Sequence, residues 1–334
     1  MKALLSRILA GGDLTEEEAS SVMSAMASGA LDPALAGGLL VALRMKGERP
    51  AEVRGFARQM RALALEPTLP ALDRPLVDIV GTGGDGSNSL NLSTTAALLS
   101  AAAGCAVVKH GNRAVSSRSG SADVLERLGL TLPLDADAAG ELLGRAGYTF
   151  LFARHYHPAM KHIAPVRRAL GARTVFNLLG PLTNPAAPPH LLLGAYSEAA
   201  ARLMAAAVAE LPIERAFVIH GALGWDEPTP IGPFLLLDVQ GGEVDERLVD
   251  PLEIYGLPRC RPEALAGGDA AHNAAAIRAI ADGARGAPRD AAVLGAALSL
   301  ELTGLATSPA GARAAAEAAI DDGRMAAVLA ELSR

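Results

Sequence analysis

The chain is predicted to be an α/β protein, with a small N-terminal helical domain hinged to a large α/β domain built on a mostly parallel central sheet. Three observations predict this. The first 65 residues carry helix start and stop signals, short apolar runs alternate with amphipathic stretches from Leu76 onward, and one of those runs empties straight into a glycine cluster. With 334 residues, half of them apolar, the chain can bury a large core and has the length for two domains.

In the helical part, Thr15 followed by Glu18 is a capping box, with Val22, Met23 and Met26 on one face and Gly29 as the stop. Asp32-Pro33 opens a second helix that closes at Gly47, and Pro50 starts a third that runs to about Leu65. Glu66 to Pro75 holds three prolines and no periodicity, which makes it the candidate hinge between domains placed at 1–70 and 76–334.

Strands are expected at 76–80, 105–109, 148–153, 190–196, 215–220 and 233–240. The stretches between them are long enough for crossover helices, hence a mostly parallel sheet covered on both faces, with ligands at the carboxyl ends of its strands. Gly241-Gly242 reads as a hairpin turn, so one strand should run antiparallel. The alanine-rich tail from Asp269 is expected to be helical and to pack on the sheet.

The chemistry begins at Asp78-Ile-Val-Gly-Thr-Gly-Gly-Asp85. Glycines at 81, 83, 84 and 86 let backbone N–H groups converge on an anion, and a helix starting near Ser93 adds its positive end, a phosphate nest whose bland counterpart is a plain turn. Gly81-x-Gly83-x-x-Gly86 also fits the dinucleotide fingerprint, but the next strand ends in Lys109 where that fingerprint needs an acid. A Walker-type loop is excluded, because Gly-Lys occurs nowhere in the chain.

Net charge is −6 and the pI near 5.7, which argues against a nucleic-acid surface and makes any phosphate binding local. Lys109 is one of only four lysines against 26 arginines. No apolar run reaches the roughly 20 residues of a membrane helix, and Met1 to Ala10 is too interrupted for a secretory signal. Cys105 and Cys260 read as reduced thiols, with a disulfide as the alternative, so a cytoplasmic location is expected.

A second polar loop, Lys109-His110-Gly111-Asn112-Arg113 with Ser116 to Ser119 and Ser121, follows the second strand and gathers cations and donors. Ser93 and Thr94 suit a helix N-cap and equally a phosphate or Mg²⁺. Asp226-Glu227, after the strand ending at His220, can ligate hard cations that bridge a polyphosphate, although acidic pairs are commonly just solvated. His155, His157 and His162 lack the carboxylate or thiolate partners of a transition-metal site. Among Arg167, Arg168 and Arg173, one could clamp a substrate carboxylate. Asn177 to Pro185 reads as a fixed connector rather than a catalytic set.

Taken in order, 78–86, Asn91-Leu-Ser-Thr94, 109–117 with Gly120-Ser-Ala-Asp123, His157-Pro-Ala-Met160, Pro165-Val-Arg167, 173–181 and Asp226-Glu227 resemble the anthranilate phosphoribosyltransferases of the tryptophan branch, over essentially the whole chain. The resemblance implies a homodimer formed through the helical domain, with 157–181 returning to that domain. It implies that Gly81, Gly84, Asp85, Ser89, Asn91, Leu92, Ser93, Thr94, Lys109, His110, Gly111, Asn112, Arg113, Ala114, Val115, Ser116, Ser117 and Ser121 bind phosphoribosyl pyrophosphate. Ser93, Asp226 and Glu227 would hold two Mg²⁺ ions, and Gly81, Asn112 and Arg167 would contact anthranilate.

Three positions depart from the family pattern: Ser89 stands where threonine is common, Arg154 where many members have proline, and Ala222-Leu-Gly-Trp225 replaces the frequent Asp-Gly-Leu. The implied reaction is displacement of pyrophosphate from ribose C1 by an aromatic amine that needs no prior deprotonation. Leaving-group stabilisation by the loop amides, Lys109 and the Mg²⁺ that Asp226 and Glu227 would hold then carries catalysis, with His110 as a candidate proton acceptor. The competing readings are a nucleoside phosphorylase of similar architecture and a non-catalytic nucleic-acid-binding relative.

Overall fold

A computed structural model describes residues 1–114 and 118–334. Four helices come first: α1 (Lys2–Leu9), α2 (Glu16–Ala27), α3 (Pro33–Lys46) and α4 (Pro50–Ala62). The capping box at Thr15 and Glu18 forms, Asp32 caps α3 through Ala34 and Leu35, and Gly47 ends it. The third predicted helix stops at Ala62 rather than Leu65, because the Leu65 N–H turns away to the Tyr156 carbonyl at 2.8 Å.

The described strands form one seven-stranded sheet: β1 (Leu76–Gly81), β2 (Ala106–Gly111), β3 (Tyr148–Phe152), β4 (His190–Gly194), β5 (Arg215–His220), β6 (Phe234–Gln240) and β7 (Glu243–Val249), in the order β3-β2-β1-β4-β5-β6-β7. The first five are parallel, whereas β6 and β7 both pair antiparallel, two strands rather than the one expected. Strand β7 has no apolar run, since six of its seven residues are exposed at the sheet edge.

Helices α5 (Leu92–Ala102), α6 (Ser121–Leu128) and α7 (Ala136–Ala146) link β1 to β3. Between β3 and β4 run α8 (Ala153–Tyr156), α9 (Met160–Leu170) and α10 (Phe176–Leu179), and α11 (Glu198–Val208) precedes β5. The tail supplies α12 (Pro251–Tyr255), α13 (Ala270–Ala281), α14 (Ala287–Leu302), α15 (Pro309–Asp321) and α16 (Arg324–Glu331).

Strand alternation sends neighbouring residues to opposite faces. Leu191 and Leu193 join a core with α2, α3, α4 and α11, while Leu192 joins one with α5, α14, α15 and α16. The alanine-rich tail thus covers one face, as expected, and a methyl on Gly295 would already crowd Ala96 across the α14–α5 contact. Ile163, Val175 and Phe176 pack with the N-terminal helices, so the β3-to-β4 connection visits them before returning to the sheet. Residues 66–75 lie along α7, where Thr68 N–H reaches the Ala136 carbonyl at 3.0 Å and Gly140 leaves room for the Thr68 carbonyl.

Because β1 connects leftward to β2 and β4 lies on its other side, the order reverses between β1 and β4. A crevice opens at the carboxyl ends of strands at such a point.

Candidate active site

The loop leaving β1 holds Gly83, Gly84 and Gly86 at φ of +70°, +72° and +79°, a region that only glycine enters freely. The N–H groups of Gly84, Asp85 and Gly86 consequently donate to no protein group among the described residues. Asp85 is anchored at both oxygens, to the Ser87 hydroxyl at 2.9 Å and to the Asp226 N–H at 3.2 Å. Three unsatisfied, partly exposed donors in a row form an anion nest.

The helix that follows is capped at Asn91, not at Ser93 or Thr94, which occupy its first turn. Asn91 makes no side-chain cap bond; its carboxamide donates to the Ser119 carbonyl at 3.2 Å and accepts from Asn273 at 2.8 Å. The Ser93 N–H is left to Glu227, whose Oε1 accepts it at 3.1 Å.

Lys109 turns inward from β2, almost fully buried, and its ammonium donates to the Ile79 carbonyl and to Ser93 Oγ at 3.3 Å. Burial lowers its pKa, against the raising charges of Asp78, Glu227 and Asp226. Asp78, wholly buried and raised to about 6 by burial, accepts from the His110 N–H at 3.3 Å and from Asn184 at 2.8 Å. Asn184 also reaches the Val108 carbonyl at 2.7 Å, so the connector fixed by proline ties β1 to β2. His110 places Nδ1 3.1 Å from the Gly180 carbonyl, and burial depresses its pKa to about 3. Such a weak base counts against its expected part as proton acceptor.

Asp226 and Glu227 are drawn into the crevice because β1, β4 and the turn after β5 offer glycines: a methyl on Gly81, Gly194 or Gly221 would overlap the acidic pair or its backbone. Asp226 Oδ2 accepts the Gly83 N–H at 2.5 Å. Both carboxyl pKa values are raised, chiefly by burial, with the charges of Glu227 and Asp85 adding for Asp226 and that of Asp85 for Glu227. Buried, mutually repelling carboxylates beside a hydroxyl are a donor set that fits a hard divalent cation. No cluster of three or more His, Cys, Asp or Glu ligands exists among the described residues.

These elements share one cleft of about 410 Å³. Its wall includes Gly81, Gly84, Asp85, Ser89, Asn91, Ser93, Thr94, Lys109, His110, Gly111, Asn112, Ser121, Asp226 and Glu227. Four expected residues stand elsewhere. Leu92 is buried against Leu90 and Trp225; Arg113 is committed to Asp123 at 3.0 Å and Glu126 at 2.5 Å; the Ala114 N–H goes to Asp123 at 3.0 Å. Arg167, on α9, lies off the wall with its guanidinium over the Phe176 ring at 5.3 Å and no ion pair among the described residues. Val115, Ser116 and Ser117 lie outside the described residues. Sequence reasoning missed Asp78 and Asn184 as site supports, although a lone carboxylate in an apolar strand was a signal.

Residues 73–326 match the a/b domain of the glycosyl transferase family, and residues 2–64 match that family's helical bundle domain. The anthranilate phosphoribosyltransferase of Chloroflexus aurantiacus is 46% identical over 97% of this chain and 95% of its own. The chain belongs to the anthranilate phosphoribosyltransferase family. The crystal structure of the family member from Thermus thermophilus is 44% identical, with a TM-score of 0.92 and 99% of both chains covered. The Saccharomyces cerevisiae enzyme in complex with phosphoribosyl pyrophosphate and Mg is 26% identical, with a TM-score of 0.84 over 94% of this chain and 92% of that one. The chain is therefore a glycosyltransferase whose activity is the family's, transfer of a phosphoribosyl group to anthranilate.

Proposed function

We propose that the cleft binds phosphoribosyl pyrophosphate with its diphosphate on the nest of Gly84, Asp85 and Gly86 and the first turn of α5, and that anthranilate enters beside it to attack ribose C1. One observation carries this reading: the Gly83 and Ser93 N–H groups, donors of the loop and of the helix, meet the carboxylates of Asp226 and Glu227 directly. Phosphate donors and cation ligands are thus already adjacent. Ser93, Asp226 and Glu227 would hold Mg²⁺, two ions in all. When bound, Mg²⁺ supplies positive charge to the departing diphosphate oxygens.

In the reaction the C1–O bond breaks with its electron pair going to pyrophosphate, and the amine lone pair forms the new C1–N bond before the nitrogen loses a proton. Lys109 and the nest amides stabilise charge on the leaving oxygens. Burial makes the neutral His110 ring a weak base, so the lost proton passes to water. Ser89, Asn91, Thr94, Gly111 and Ser121 shape the phosphoribosyl subsite; Asn112 and Gly81 face the acceptor, and Arg167, which stands off the cleft wall over Phe176, would swing in to meet its carboxylate. Segment 115–117 belongs to the same subsite by sequence.

The helical part, 1–70 with 157–181, forms one unit against 76–334 and is the proposed surface for a homodimer. Leu9, Met45 and Val41 are exposed apolar side chains on α1 and α3, which supports this. Among the described residues no helix is long and apolar enough to cross a membrane, and both cysteines are free thiols, which supports a cytoplasmic enzyme of tryptophan synthesis.

The test follows anthranilate fluorescence with and without phosphoribosyl pyrophosphate and Mg²⁺. Consumption only when both are present supports the reading. Phosphate-driven cleavage of a nucleoside without Mg²⁺ would replace it with a phosphorylase.

A further inference from the structure

Arg173 lies between α9 and α10, on the connection that packs with the N-terminal helices, yet its side chain reaches the glycine loop. Its guanidinium donates to the Gly84 carbonyl and stacks over the Tyr196 ring at 4.2 Å. Tyr196, just past β4, uses its own N–H to hold the Thr82 hydroxyl at 3.1 Å, and the Thr82 N–H bonds the Gly194 carbonyl at 2.9 Å. The loop is therefore gripped at both Thr82 and Gly84 by one aromatic residue and the arginine stacked on it.

A trans peptide is planar, so its C=O and N–H point in opposite directions. Holding the Gly84 carbonyl on the outer side turns the Asp85 N–H of the same peptide unit the other way. That N–H has no protein partner among the described residues, and Gly84 and Asp85 line the cleft while Arg173 does not. The left-handed glycines on this loop leave the peptide with little intrinsic preference for one orientation.

We infer that Arg173, stacked on Tyr196, is a positioning residue that orients the Asp85 amide of the nest toward the diphosphate of phosphoribosyl pyrophosphate. The inference rests on the proposed use of the cleft. It requires a planar donor that both stacks and hydrogen-bonds, which a lysine cannot supply.

The test compares Arg173→Ala, Arg173→Lys, Tyr196→Phe and Tyr196→Ala in steady-state kinetics, with melting temperatures and titration of Mg-pyrophosphate. Loss of a charge-assisted bond predicts that Arg173→Ala raises KM for phosphoribosyl pyrophosphate about tenfold or more, leaving KM for anthranilate and the melting temperature unchanged. Arg173→Lys should not rescue it; Tyr196→Phe should match wild type, and Tyr196→Ala should shift KM in the same direction as Arg173→Ala. An unchanged KM in Arg173→Ala, or full rescue by lysine, would overturn the inference while leaving the cleft assignment intact. Wild type that binds no Mg-pyrophosphate would overturn both.

Discussion

The carboxylate of Asp226 sits 2.5 Å from the Gly83 N–H, so a residue assigned to a cation and a donor of the phosphate loop touch without any ligand between them. The contact exists because Gly81 has no side chain to occupy the space.

Gly81→Ala should therefore displace the acidic pair and lower turnover about a hundredfold, with the fold retained because a carboxylate can swing aside. Gly194→Ala meets the Asp226 backbone instead and should also cost about 1–3 kcal/mol of stability. Turnover and denaturant titration of the two variants check the contrast.

Lys109→Ala should lose at least about 10²-fold in turnover. It should also destabilise the protein by about 3–5 kcal/mol, because Asp78 and Glu227 would be left as buried carboxylates without their compensating cation. Recovery of stability, without activity, in a Lys109→Ala, Asp78→Asn double variant would show that the two losses have separate causes. Near-normal turnover at saturating Mg²⁺ would remove Lys109 from the mechanism.

Arg167→Ala should raise KM for anthranilate and leave KM for phosphoribosyl pyrophosphate unchanged. Its guanidinium is partly desolvated, which lowers its pKa, and it has no carboxylate partner among the described residues. An unchanged acceptor KM contradicts the assignment.

Burial, which disfavours the charged ring, pushes the pKa of His110 down from 6.5 to about 3 in the folded protein and that of His157 down to about 4. The folded values are the lower ones, so between them and 6.5 the unfolded chain binds more protons, and stability is lost as pH falls through that window. Asp78, raised to about 6, opposes this: its contribution declines as pH rises from about 4 to 6. His110→Asn should flatten the acid limb of stability below pH 6.5, measured by denaturant unfolding at several pH values. A limb as steep as in wild type contradicts it.

Much of the site was legible because its signals are local. A strand running into left-handed glycines, a capping box at Thr15 and a proline start at Pro33 each depend on neighbours within a few residues. What escaped depends on distant partners. Asn184 meets Asp78 from 106 residues away, and Arg173 meets Gly84 from 89 away, distances at which sequence pattern carries no register. Strand β7 escaped for a different reason: Glu243, Asp245, Glu246 and Arg247 cover an exposed edge, so it lacks the apolar alternation that reveals an inner strand. The ion pairs of Arg113 also went unread although Asp123 and Glu126 stood close in sequence, spaced so that both reach it from the first turns of α6.

The most direct measurement is titration of inorganic pyrophosphate into wild type and Asp226→Asn, each with Mg²⁺ and with a chelator. If nest and acidic pair serve one metal-bound diphosphate, wild type binds only with Mg²⁺, and the variant loses about tenfold or more of that affinity. Equal wild-type affinity in Mg²⁺ and in chelator, or Mg²⁺-dependent binding untouched by Asp226→Asn, would contradict it.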